Sequence, residues 1–127
     1  MGFQCPQCEN PGSLGIVTAV QLFRGHCVNE ITMQLIECSH CNFAGLAVYE
    51  EGRLEPSDTR AWKHSGYRLP PGMYDRIMAD LKSCPDQLDP ECSCKLHRDL
   101  SGCDARGEWL GIEKLGIKGR FPMRLDL

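Results

Sequence analysis

The sequence has no run of about 18 consecutive apolar residues, so nothing in it is long enough to cross a bilayer as a helix. Aromatic residues are few, at 7%, which limits what hydrophobic packing alone can contribute in a chain of this size. Positive charge is not in excess: 14 Lys and Arg stand against 17 Asp and Glu, giving a formal net charge of -3. A polybasic nucleic-acid binder is therefore disfavoured. Met1 leads directly into Gly2-Phe3-Gln4-Cys5, with no basic stretch followed by an apolar one, and a cytoplasmic protein with no membrane association is expected. Catalytic signatures are missing as well. There is no phosphate-binding P-loop, dinucleotide-binding Gly triplet, Gly-x-Ser-x-Gly or His-Glu-x-x-His, and neither half of the zinc deaminase signature occurs. No enzyme is expected.

Cysteine is what the sequence has in quantity: nine among 127 residues. Thiols in a reducing compartment read as metal ligands or redox groups before they read as a disulfide framework, and an odd number cannot pair internally. Eight would serve two tetrahedral metal sites. The length predicts one domain, or one with a satellite too small to hold its own core.

Cys5-Pro-Gln-Cys8 and Cys38-Ser-His-Cys41 form two Cys-x-x-Cys pairs. Each pair lets two thiolates converge on one ion from a tight turn, and together they complete a four-thiolate site, expected to be structural zinc. A rubredoxin-like iron site is the rival for the same thiolates. Between the pairs the sequence reads as a hairpin. Leu14, Ile16, Thr18, Val20 and Leu22 share a face by period 2, Arg24-Gly25-His26 turns the chain, and Ile31, Met33 and Leu35 lead back. A third run over 44–49 is strand-like through Leu46 and Val48, and Glu51-Gly52 offers a turn.

This order of knuckle, hairpin, knuckle and strand resembles the zinc-ribbon class of domains over residues 3 to about 55, a resemblance carried by Cys5, Cys8, Cys38 and Cys41. It implies a three-stranded antiparallel sheet with metal at one end. Ribbon knuckles often place Gly after the second Cys, whereas Glu9 and Asn42 stand there in this chain. Glu tolerates the left-handed conformation poorly, so a wider first turn made by Asn10 or Gly12 is expected.

Residues 53–69 show neither period and read as an ordered connection, packed onto the ribbon by Trp62 and Tyr67. Arg60, Trp62, Lys63, His64, Tyr67 and Arg68 are also a mixture that could stack on bases. Pro70-Pro71-Gly72 then opens a helix with Tyr74, Ile77, Met78 and Leu81 on its apolar stripe, and Pro85 stops it. Beyond it Cys84, Cys92, Cys94 and His97 are expected to close a second zinc site, with Cys103 as the alternate to His97 and the spare residue a free thiol. Cys27 fits no spacing rule and is expected to be an inert, half-buried thiol. The tail from Glu108 reads as one or two short strands or a docked arm.

The expected fold is thus a small metal-stabilised α+β protein. A zinc ribbon occupies 1–55, and a helix, a second compact Cys/His module and a C-terminal arm occupy 56–127 and pack with it. Two closed, thiolate-rich Zn2+ sites make poor Lewis acids, so the expected function is recognition of a protein partner. A nucleic-acid-binding role through the middle segment comes second, and a thiol redox or metal-handling role third.

Overall fold

The computed structural model describes residues 2–22, 29–53 and 60–125. The Arg24-Gly25-His26 turn and Cys27 lie outside the described residues. Five strands, β1 (Leu14–Gln21), β2 (Glu30–Cys38), β3 (Ala44–Arg53), β4 (Arg60–Arg68) and β5 (Arg120–Pro122), form one antiparallel sheet in sequential order. Three short helices, α1 (Met73–Lys82), α2 (Lys95–Leu100) and α3 (Gly111–Leu115), separate β4 from β5. The expected three-stranded sheet with one helix is corrected to five strands with three helices among the described residues. The sheet extends beyond the expected ribbon, since β4 pairs with β3 and β5 with β4.

Alternation along the strands gives the sheet two different faces. Ile31, Met33 and Leu35 of β2 and Leu46 and Val48 of β3 point into the larger core, where Ile77 and Leu81 of α1 and Leu96 and Leu100 of α2 cover them. Each fully buried Leu of this kind contributes about 2 kcal/mol of transfer free energy. The opposite parity carries Ile36 and Ala47 into a smaller cluster with Cys5, Leu14, Cys38, Phe43 and Phe121.

The single face expected for Leu14 through Leu22 does not exist. A register shift between Ile16 and Thr18 inserts an extra residue into β1, so Leu14 stays with the smaller cluster while Val20 joins the larger core. Two further expectations are corrected here. Residues 60–68 are a strand rather than a connection, and β3 continues through Glu51-Gly52 instead of turning. The helix after Pro70-Pro71-Gly72 forms where expected, with Ile77 and Leu81 buried and the Tyr74 hydroxyl donating to Glu37 on β2. The tail contains a helix, α3, as well as a strand, β5, and β5 is fixed where the Phe121 ring lies over Gly66.

Candidate metal centres

The first centre is built where β1, β2 and the N-terminal segment meet. Phe3 is tied to Leu14 by two backbone bonds of 2.8 and 2.9 Å, which bring the Cys5 turn against the end of β1. Leu14 in turn pairs with Cys38, so the second knuckle starts beside the first. The ligand atoms of Cys5, Cys8, Cys38 and Cys41 all lie within 4.8 Å of one another.

Their spacing suits one ion. The Cys5 and Cys41 sulfurs are 3.6 Å apart and those of Cys8 and Cys38 are 3.8 Å apart. A tetrahedron with zinc–sulfur bonds of about 2.3 Å has edges of about 3.8 Å. Backbone amides point at the sulfurs, as a thiolate needs: Gln7 N–H toward Cys5 at 3.4 Å, His40 and Cys41 N–H toward Cys38 at 3.3 Å each, and Phe43 N–H toward Cys41 at 3.4 Å. Glu9 itself takes the left-handed conformation at φ 63°, so the first knuckle has the ordinary tight turn and not the wider one expected from the missing Gly.

The second centre lies at the other end of β1. Cys84 follows α1, Cys92 and Cys94 approach along the connection, and Cys94 is the residue on which α2 begins. His97, one turn into α2, is 1% exposed. The four ligand atoms again lie within 4.8 Å of one another. Cys84 Sγ is 3.7 Å from Cys92 Sγ and 3.5 Å from His97 Nδ1, and Cys94 Sγ is 3.1 Å from the same nitrogen. His97 Nε2 lies 2.9 Å from the carbonyl oxygen of Gln21 at the end of β1. A carbonyl can only accept, so Nε2 carries the hydrogen and Nδ1 presents its lone pair to the thiols. Metal-binding imidazoles are oriented in this way, with the far nitrogen donating to a carbonyl. Cys103 stands outside the group and its sulfur is taken up in a disulfide, which corrects the expectation of a free thiol there.

The chain matches no family model, no curated protein and no solved structure.

Electrostatics show what each group of donors needs. Burial pushes the Cys38 thiol up, but the Ser13 hydroxyl, the Cys41 and His40 N–H groups and the Cys41 thiol outweigh it and lower it to about 6. The Phe43 N–H lowers Cys41, yet burial and the thiols of Cys5, Cys38 and Cys8 outweigh that and push it up to about 12. In the second group, burial raises Cys94, but the backbone N–H and side chain of His97 and the neighbouring thiols lower it to about 6. Burial, together with Cys94 and Cys92, pushes Cys84 up to about 11. One sulfur in each group ionises readily and another resists, because thiolates this close repel each other. A cation at the centre would remove that conflict.

Both groups can therefore hold a metal ion, and the pair is compatible with a zinc ribbon carrying a second Cys/His site. Among the described residues no other group of this kind occurs. None of the described helices is long and apolar enough to cross a membrane.

The middle segment separates into two roles that the sequence did not distinguish. Tyr67 packs against the larger core, as expected, whereas Trp62 is 66% exposed and touches the ribbon only through its stack on Tyr49. His64 donates from Nε2 to Gln34 Oε1 at 2.7 Å and contacts the rings of Phe3 and Tyr49.

Proposed function

We propose that the protein is a non-enzymatic, two-zinc interaction module that binds a protein partner. The observation that carries this is the closure of both donor sets: each offers four converging ligand atoms, enough to fill a tetrahedral ion without a coordination position left for substrate. Three or four thiolates also donate so much charge that the ion is a poor Lewis acid. Tetrahedral sulfur spacings fit zinc or iron, and zinc is proposed for both sites because the second set adds an imidazole to its thiolates. A cavity of about 520 Å³ between α1, α2 and α3 is lined by Ile77, Leu96, Leu100 and Leu115 with Arg76 and Lys95 among its polar residues. Cys94 also lines it, but its sulfur belongs to the second donor set, where a metal ion would occupy it.

A nucleic-acid role is the second reading, and the exposure of Trp62 favours it. It ranks below the first because the residue paired with Trp62 on β3 is Glu51, an acid that repels phosphate. A cytoplasmic location belongs to the same proposal.

Cobalt substitution tests the closed-site reading. The cobalt protein should show tetrahedral thiolate absorption that azide or cyanide at moderate concentration leaves unchanged. A shift on adding either ligand would show an open position and overturn the non-enzymatic reading. On the partner side, metal-loaded protein should retain a protein in stoichiometric amount from extracts of its host, and chelator-stripped protein should not. Retention of nucleic acid in its place would put the second reading first.

A further inference from the structure

The three helices that cover the larger core do not close on one another, and the cavity of about 520 Å³ lies between them. Its floor is apolar. Ile77, Leu96 and Leu100 are buried members of that core, and Leu115 packs against it. Its rim is charged and exposed, with Arg76 and Asp80 on α1, Lys95 and Asp99 on α2 and Lys114 on α3. A concave apolar surface of this size with a few polar groups at its edge is the usual build of a small-ligand pocket.

The walls are tied in place by the chain itself. His97 Nε2, donating to the Gln21 carbonyl at 2.9 Å, fixes α2 to β1. Trp109 Nε1 donates to the Leu100 carbonyl at 2.6 Å, and Lys114 Nζ to the Asp99 carbonyl at 2.9 Å, so α3 and the segment before it are held against α2. On the third side the Tyr74 hydroxyl fastens α1 to Glu37 of β2. The cavity is therefore preformed, and filling it does not require the helices to move.

The rim charges do not cancel. Asp99 is paired with Lys95 at 3.0 Å. Lys114 donates to a carbonyl, which carries no net charge, and Arg76 makes no ion pair among the described residues. Two cations are thus opposed by one remaining acid, Asp80.

We propose that this cavity binds a small amphiphile with an aliphatic body and an anionic head. The chain lies on Ile77, Leu96, Leu100 and Leu115, where burial of each methylene is favourable. The head is taken by Arg76, whose planar fork matches a carboxylate, with Lys114 adding a point charge. Cys94 lines the cavity from the second donor set, so the ligand sits beside that centre without joining it. This site is additional to the partner-binding role and does not depend on it.

The test is titration of the zinc-loaded full chain with decanoate below its micelle-forming concentration, followed by carbon–proton correlation NMR of the methyl groups. The signals of Ile77, Leu96, Leu100 and Leu115 should move saturably, while that of Ile36, in the smaller cluster, stays in place. Octanoate should bind about tenfold more weakly, because two methylenes are lost from the buried chain. Decanol should bind more weakly than decanoate, and Arg76→Gln and Lys114→Gln should each weaken decanoate about fivefold with little effect on decanol. Both substitutions are at exposed positions, and unchanged metal content and an unchanged Trp109 indole signal would confirm that they fold. Unmoved cavity methyls would overturn the proposal. Decyltrimethylammonium binding as well as decanoate, or the two Gln variants binding decanoate undiminished, would overturn the anionic assignment. In the cobalt protein the absorption should not change when decanoate is added, since a change would place the carboxylate on the metal and not on the rim.

Discussion

Glu9 holds its backbone at φ 63°, a conformation that an L-residue with a side chain enters at a cost of about 1–2 kcal/mol. The metal knuckle imposes it, because the Glu9 N–H must reach the Cys5 carbonyl at 2.9 Å to close the turn. Glu9→Gly should therefore stabilise the metal-loaded protein by about 1 kcal/mol, part of the relief being offset by the greater freedom of Gly in the unfolded chain. Denaturant unfolding of the loaded protein measures this, and a destabilised variant would contradict it. His64 provides a prediction at the same scale. Burial lowers its pKa below the ordinary value, so the folded protein resists protonation there. The contribution of neutral His64 to stability is then full above about pH 6.5 and is lost as the pH falls through that value toward the lower folded-state one. An NMR titration should place the His64 midpoint below about 6.5, and a midpoint above it would contradict the buried neutral ring. The sulfur ligands were legible in the sequence because their spacing alone implies convergence. The choice between His97 and Cys103 was not, because it depends on the Gln21 carbonyl, 76 residues away in the chain, that fixes the imidazole.

Among the elements, α1 and β2 were readable because each has one apolar stripe of the correct period and one core to bury it in. Strand β4 was not. Its core-facing positions are Lys63, Ser65 and Tyr67, and the other face carries Trp62, His64 and Gly66, so no period-2 contrast of apolar and polar residues survives. The strand is specified by its neighbours instead: β3 on one side and β5 on the other. Gly66 is where that specification is tightest, since a Cβ there would stand 2.3 Å from the Phe121 ring. Gly66→Ala should destabilise the protein by about 1–3 kcal/mol through displacement of that ring and of β5. Thermal unfolding together with the Phe121 ring signals would show it, and an unchanged midpoint would mean that the ring is not held against β4. The β1 irregularity was hidden for another reason: Leu14, Ile16, Thr18 and Val20 obey strict alternation, and only the three-dimensional register shows the inserted residue.

At the scale of the whole molecule, the two centres stand near opposite ends of β1, one against Leu14 and the other against the Gln21 carbonyl. The first gathers residues separated by up to 36 positions, and the second ties the helical segment after α1 to the sheet. Metal binding at such sites supplies folding free energy on the order of 10 kcal/mol, more than a chain with 7% aromatic residues is expected to draw from its core alone. The grouping of ligands could be read from sequence, whereas the extent of the sheet and the stacking of Trp62 on Tyr49 could not, because both depend on pairings between strands whose own patterns are weak. The central claim is that this fold is held by two zinc ions in separate protein-only sites. Elemental analysis of the protein purified without chelator tests it most directly. Two zinc ions per chain are expected, whereas one, none, or iron in place of zinc would contradict the account.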